Sequence, residues 1–350
     1  MAGVDYPGST GEFRAWFSTD AACLDYLEWV RWPSGFVCPD CGGRGWAMRD
    51  GRFKCSECGL RVSVTAGTMF EHARTPLTVW FELCWRFTTS KQGVSALEAA
   101  RDLGIGSYRT AWGMCQRLRQ VVVRPGREKL SGVVEADEAF VGGVERGLPG
   151  GRARGNKSIV CVAVESGRGG RLGRARVQVV PDASAATLGA FLLNCVEPGS
   201  TIVTDAWKGY SPSAVSGYTH IVVNQAEALR RGADPDDLLP GVNRVVSLLK
   251  RWLLATHQGA VSAEHLQEYL DEWVFRFNRR TSRRRGLLFY RLIQLAVGHE
   301  PVPYASLIRT PGSGHATPAA TTRGRGGRPA SFEPAGATYP WRGHPTAKAG

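Results

Sequence analysis

Two matched pairs of cysteines constrain this chain more than any other feature: Cys38-Pro-Asp-Cys41 and, after 13 residues, Cys55-Ser-Glu-Cys58. Thiolates two residues apart can turn onto one ion, and a second such turn completes a tetrahedron, so the spacing predicts a small knuckle organised by structural zinc. Gly42 and Gly43 follow the first pair and Gly59 the second, which lets the backbone fold back over the sulfurs. A redox motif would occur once, beside a βαβ unit, and nine irregularly spaced cysteines in 350 residues do not make a disulfide scaffold. Four thiolates close the coordination sphere, so Cys38, Cys41, Cys55 and Cys58 are expected to hold structure and not to perform chemistry. The remaining cysteines (Cys23, Cys84, Cys115, Cys161 and Cys195) lie in apolar patterns and read as core.

Thiol pairs at metal-ligand spacing fit a reducing cytosol. No run approaches the ~18 apolar residues of a membrane span, and no signal peptide is visible, so a cytoplasmic, nucleoid-associated protein without membrane partners is expected. The 44 Lys and Arg against 31 Asp and Glu give a net charge of +13, which favours a polyanionic partner such as DNA through release of condensed counterions. Periodicity divides the chain into a helix and knuckle over 12–70, helices over 76–123, an α/β segment over 131–300, and a basic Gly/Pro/Ala tail over 308–350 expected to be disordered. Within 12–34 one amphipathic helix is expected, capped by Ser18, Thr19 or Asp20 and burying Cys23, Leu24, Leu27 and Val30. Arg44, Arg49, Arg52, Lys54 and Arg61 surround the knuckle and point it towards DNA.

Residues 95–120 (SALEAARDLGIGSYRTAWGMCQRLRQ) read as an alanine-rich helix, a Gly104-Ile105-Gly106 turn and a basic second helix, the pattern of a helix-turn-helix. In that motif the first residues of the second helix reach base edges, which here are Ser107, Tyr108, Arg109 and Thr110, with Arg117 and Arg119 near the backbone. An ordinary helical hairpin is the plainer alternative.

From residue 131 the period changes to strands: 132–143, 157–165 and 174–181, a helix over 182–196 capped by Asp182, a fourth strand at 200–205 and a fifth at 218–223. Helices over 240–255 and 262–280 follow. Three strands, a helix, a fourth strand and later helices is the order of the ribonuclease-H-like fold, a mixed-sheet α/β class whose enzymes set one carboxylate on the first strand and one at the end of the fourth. Two divalent cations bridged by such carboxylates serve in-line displacement at phosphorus. Asp137 lies within the first strand and Asp205 ends the fourth. Glu135 shares the face of Asp137 by two-residue alternation, Glu138 points the other way, and both are weaker candidates. Arg276, Arg279, Arg280, Arg283, Arg284, Arg285 and Arg291 fall within 16 acid-free residues interleaved with Phe275, Phe277 and Phe289, which reads as a DNA-backbone track.

Five stretches carry a resemblance: Arg31-Trp-Pro-Ser-Gly-Phe-Val-Cys-Pro39, Val134-Glu-Ala-Asp-Glu-Ala-Phe-Val-Gly-Gly143, Asp205-Ala-Trp-Lys-Gly-Tyr210, Ser247-Leu-Leu-Lys-Arg251 and Tyr269-Leu-Asp-Glu-Trp-Val-Phe-Arg-Phe-Asn-Arg279. Together they make the chain similar, over about residues 12–300, to the DDE transposases of bacterial insertion sequences that carry an N-terminal zinc ribbon, the ISXO-like group. The resemblance implies that Asp137 and Asp205 are the first two catalytic acids, that Mg²⁺ or Mn²⁺ is the catalytic cofactor, and that the protein works on DNA ends and target DNA as a homo-oligomer. At the third position the family often has Glu where this chain has Asn243, and some relatives carry Asn or His there with a Lys seven residues later, as Lys250 stands here. Positions 243, 247 and 250 share one helix face, and an Asn carbonyl can ligate Mg²⁺ without adding charge. Asp271 and Glu272 are the rival third ligands. Two readings compete with a transposase: a DNA-binding regulator with a vestigial nuclease domain, and a zinc protein that contacts other proteins.

Overall fold

The computed structural model describes residues 1–124, 126–142, 157–232, 234, 238–259 and 261–308, so the tail expected to be disordered lies, from residue 309, outside the described residues. The chain forms two compact units, residues 1–121 with those from 283 onward, and residues 122–282.

The first unit opens with two helices where a single one was expected. Ser9 caps α1 (Thr10–Trp16) by accepting from Glu12 N, and Thr19 caps α2 (Asp20–Arg31) by accepting from Ala22 N. On α2 the buried stripe is Cys23, Tyr26, Leu27 and Val30, while Leu24 sits at its edge and is 38% exposed. The knuckle is a three-stranded antiparallel sheet of β1 (Gly45–Ala47), β2 (Phe53–Cys55) and β3 (Arg61–Val62). Phe53 holds it to the preceding segment, stacking on Phe36 and meeting Trp32 edge-on. Helices α3 (Leu77–Thr89), α4 (Ala96–Asp102) and α5 (Tyr108–Val121) follow. A reciprocal capping box of Ser95 and Glu98 starts α4, and Gly104, at φ +62, turns the chain towards α5.

In the second unit the elements are β4 (Val133–Val141), β5 (Ser158–Ser166), β6 (Leu172–Val180), α6 (Ala185–Cys195), β7 (Thr201–Asp205), β8 (Thr219–Val223), α7 (Gln225–Arg230), α8 (Pro240–His257) and α9 (Leu266–Phe277). The sheet order is β6-β5-β4-β7-β8, with β4–β5 and β5–β6 antiparallel and β4–β7 and β7–β8 parallel. That is the mixed-sheet, ribonuclease-H-like arrangement anticipated from the element order. Ser184, not Asp182, is the cap residue of α6; Asp182 instead accepts from Ser184 N and Thr187 Oγ1 just ahead of it.

Strand β5 is apolar almost without interruption because both its faces are covered. Val160, Val162 and Val164 pack with Val242, Val245, Leu249, Leu270 and Trp273 of α8 and α9, while Ile159, Cys161 and Ala163 pack with Leu188, Phe191 and Leu192 of α6. Each such aliphatic side chain contributes about 1.5–3 kcal/mol on burial. Along the edge strand β6, α9 supplies side-chain partners: Asn278 bonds both Ala175 N and Ala175 O, and Gln267 accepts from Val179 N. The chain then returns to the first unit as α10 (Arg285–Val297) and α11 (Tyr304–Leu307). There Phe289, fully buried, has its ring 5.4–6.3 Å from those of Phe13, Phe17, Tyr26, Phe81 and Trp85.

Candidate functional site

Strand register brings the two aspartates level. Val133, Val134 and Glu135 of β4 pair in parallel with Thr201, Ile202 and Val203 of β7, so two residues further along Asp137 stands opposite Asp205. Residues opposite one another on neighbouring parallel strands project to the same face, here the face covered by α8 and α9. Both carboxylates are half-buried. Asp137 Oδ1 accepts from Glu138 N at 2.8 Å and Asp205 Oδ1 from Trp207 N at 2.9 Å.

The residues after Asp205 pin that strand end. Trp207 Nε1 donates to Ala183 O at 3.0 Å, and a Cβ on Gly209 would come within 2.5 Å of the same carbonyl, so only glycine fits there. Tyr210 is buried on the opposite face of the sheet, where Glu138 is its hydrogen-bond partner. Burial, with Glu138, Cys161 and Asp137 nearby, pushes the Tyr210 hydroxyl well above its usual range. Glu138 therefore faces away from Asp137, as two-residue alternation required.

Helix α8 lies on the face of the two aspartates and starts beside β4. Its N-cap residue, Leu239, makes no side-chain cap bond, and Pro240 occupies the first turn. The missing acceptor comes from the sheet: Glu135 Oε2 accepts from Val242 N at 3.0 Å, while Ser166 Oγ donates to Glu135 Oε1 at 2.6 Å. Asn243 is the next residue, half-buried, and Ser247 and Lys250 continue its stripe as exposed residues. Two carboxylates and an amide oxygen make a donor set suited to a hard divalent cation. Sequence reading ranked Glu135 only as a weak ligand and missed its contact with α8; the available signal was a helix starting Leu239-Pro240 with no capping side chain.

The rival acids sit in α9. Glu272 is fully buried and paired with Arg276 at 3.0 Å. Asp271 falls on the same helical stripe as Gln267 and Asn278, the residues that bond edge strand β6. Burial pushes its carboxyl up to about 7, against the pull of Arg127 and a hydrogen bond from Gln267.

In the knuckle, the four sulfurs lie within 4.8 Å of one another. Cys38 and Cys58 Sγ are 3.7 Å apart and Cys41 and Cys55 Sγ 3.5 Å, close to the ~3.8 Å edge of a tetrahedron with ~2.3 Å Zn–S bonds. The thiols thus fit zinc as they stand. Gly42 and Gly59 take φ +76 and +74 after their respective pairs. Backbone N–H groups, Cys58 first, hold the Cys55 thiol down at about 7.

Not all expected DNA contacts are available to DNA. Ser107, Tyr108, Arg109 and Thr110 are exposed on the first turn of α5 and its lead-in. Arg119 is only 1% exposed, beside the equally buried Gln116, and cannot reach a phosphate. Arg117 is half-buried and donates to Val302 O at 2.9 Å. Near it, Arg74, Arg109, Trp80 and Tyr304 help line a cavity of about 380 Å³. Of the C-terminal arginines, Arg276 is tied to Glu272, and Arg279 and Arg280 lie over the Phe275 and Phe277 rings at 4.1 and 4.0 Å. Arg280 also donates to the carbonyls of Leu172, Gly173 and Phe277. Arg283 and Arg284 are exposed. The acid-free run concealed the partner of Arg276 because Glu272 stands one helical turn before it.

Residues 18–61 match the transposase zinc-ribbon domain family, and residues 129–278 match the ISXO2-like transposase domain family. An uncharacterized protein in transposable element ISH50 of Halobacterium salinarum is 28% identical over 295 residues, which span 77% of this chain and 94% of that relative. An uncharacterized transposase-like protein of Haemophilus influenzae is 29% identical over 100 residues, 29% of this chain and 77% of that protein. The catalytic core domain of BIV integrase aligns with 43% of this chain and 86% of its own, at 18% identity and a TM-score of 0.30. Among the described residues no helix is long and apolar enough to cross a membrane.

Proposed function

We propose that this chain, which belongs to the insertion-sequence transposases that pair a zinc ribbon with an ISXO2-like transposase domain, cuts DNA at the ends of its element and joins the freed 3′-hydroxyl to target DNA. The carrying observation is the register that sets Asp137 level with Asp205 on the face covered by α8. Asp137, Asp205 and Asn243 would hold Mg²⁺ or Mn²⁺. When bound, such cations supply activation of the attacking oxygen and stabilisation of the leaving oxygen. In-line displacement at phosphorus needs little covalent help, so the task of these side chains is to place donors rigidly. Strand β4 and the pinned end of β7 suit that task better than loops would. Lys250, exposed two turns after Asn243, would meet a phosphate beside the cut.

Helices α4 and α5 serve in this reading as the helix-turn-helix, with Tyr108, Arg109 and Thr110 at base edges. Arg283 and Arg284 would add contacts to the DNA backbone, and the ribbon's basic residues would add more. Two ends must be held together, so the working form is a homo-oligomer on DNA, acting where the element's DNA lies, in the cytoplasm. The test is incubation of the purified protein with its own inverted-repeat ends and Mg²⁺ or Mn²⁺. Divalent-dependent nicking at the ends is the expected result; end binding without nicking at any metal concentration would establish the vestigial regulator instead. Binding that is insensitive to salt would favour the protein-contacting reading.

A further inference from the structure

We propose that Glu135 is a positioning residue: from the strand that carries Asp137 it caps the helix that carries Asn243, and so sets where Asn243 stands. The inference deepens the proposed function, resting on Asn243 as third ligand.

Helix α8 has 18 residues but no cap of its own, since Leu239 offers no acceptor and Pro240 no N–H. Asn243 N is satisfied by Leu239 O at 3.0 Å, and Val242 N is taken by Glu135 Oε2 at 3.0 Å. Glu135 is 7% exposed, and its other oxygen accepts from Ser166 Oγ of β5 at 2.6 Å, which fixes the carboxylate in one orientation. Gly241 closes the arrangement: a Cβ there would lie 2.8–2.9 Å from the carboxylate carbon and both oxygens. A methyl group there would have to push the carboxylate out of this position. The positive end of the helix and a buried carboxylate attract, which holds the first turn of α8 against β4. Along β4, Glu135 and Asp137 are two residues apart and share a face; along α8, Val242 and Asn243 are neighbours. One hydrogen bond therefore links the backbone carrying the first ligand to the backbone carrying the third. With one oxygen accepting from Ser166 and the other from Val242, Glu135 is placed to act through Asn243.

The experiment compares full-length Glu135→Ala, Glu135→Gln, Gly241→Ala and Glu135→Ala/Gly241→Ala with the unaltered protein. Three quantities are read: amide hydrogen exchange over 239–246 without metal or DNA, Mn²⁺ affinity by calorimetry, and the Mn²⁺ dependence of end cleavage. Exchange in β5 serves as the check that each variant is folded. Glu135→Ala should speed exchange in the first turn of α8 and weaken Mn²⁺ binding about tenfold or more, the range for groups that orient ligands. Saturating Mn²⁺ should return most of the cleavage rate. Glu135→Gln, whose amide oxygen can still accept from Val242 N, should recover most of the loss. Gly241→Ala should weaken Mn²⁺ binding alone yet add little to Glu135→Ala, because both act on one contact. Unchanged exchange and Mn²⁺ affinity in Glu135→Ala would overturn the proposal. So would a Glu135→Gln variant that cannot cut at any Mn²⁺ concentration while exchanging like the unaltered protein, which would make Glu135 a ligand. Should the unaltered protein neither bind Mn²⁺ nor cut, faster exchange in Glu135→Ala would uphold the cap and overturn the reaction, so the two failures are distinct.

Discussion

The knuckle and the proposed acidic site would collect their ligands in opposite ways. The knuckle draws four sulfurs from residues 38–58, two tight turns whose geometry is local. The proposed sheet site would draw Asp137 from β4, Asp205 from β7 and Asn243 from α8, so it would exist only once strands far apart in sequence have paired. A site built locally from four thiolates has little structure without its ion, and binding the ion is then the same event as folding. A site built on a sheet with a packed core on each face is already standing, so an ion bound there would add chemistry more than stability. The difference also separates a closed ligand set from an open one.

The largest effect that can break this contrast is loss of zinc. The protein should carry about one Zn²⁺ per chain, and Cys55→Ser should release it and unfold residues 36–62, seen as complete loss of exchange protection there. Full zinc content in a Cys38→Ser/Cys55→Ser double variant would refute the closed thiol site. Next in size, Asp137→Ala and Asp205→Ala should each lower end cleavage by at least about a hundredfold while end binding stays within about twofold. If either variant also lost its thermal stability, the sheet site would be a folding site like the knuckle, and the contrast would fail.

A smaller effect is expected at the third position. A neutral oxygen gives weaker cation binding than a carboxylate, so Mn²⁺ should outperform Mg²⁺, Asn243→Glu should tighten the metal, and Asn243→Ala should remove most of the rate. The comparison variants are Asp271→Asn and Glu272→Gln; replacing Glu272 by Ala would strand the half-buried Arg276 guanidinium and confuse stability with chemistry. Wild-type cutting by Asn243→Ala beside a dead Asp271→Asn would move the third ligand to α9. Lys250→Ala should act more mildly, lowering the salt slope of end binding by about one. An unaltered slope would take Lys250 off the DNA.

The smallest effect is one of pH. The Asp271 carboxyl stands at about 7 when folded, chiefly through burial, against about 3.9 in an unfolded chain. Between these values the folded state holds a proton that the unfolded state has released. Stability from this group therefore falls as pH rises from about 4 to about 7, and is level above. Asp271→Asn should cancel that slope, so its melting temperature should gain on the unaltered protein across that window. Melting curves that keep a constant separation would show that Asp271 ionises normally and leave it open to metal.

Much of this was written in local pattern. The thiol spacing, the capping box of Ser95 and Glu98, the run of β5 and the two-residue alternation that parts Glu138 from Asp137 each depend on neighbours a few positions away. Charge was the poorer guide. Arg119 and Arg276 count in the net charge like any arginine, yet one is buried beside Gln116 and the other paired with Glu272.

By itself the sequence determined most of the helices and strands between residues 131 and 280, their apolar faces, and that four cysteines meet. These follow from the 3.6- and 2-residue periods and from turns closed within one segment. Tertiary structure alone decided that Phe289 fills the ring of aromatic side chains in the first unit, that Asp137 and Asp205 stand level, and that Glu135 caps α8. The physical reason is separation along the chain: Glu135 and Val242 are 107 residues apart, and no local period encodes which helix end a buried carboxylate will meet.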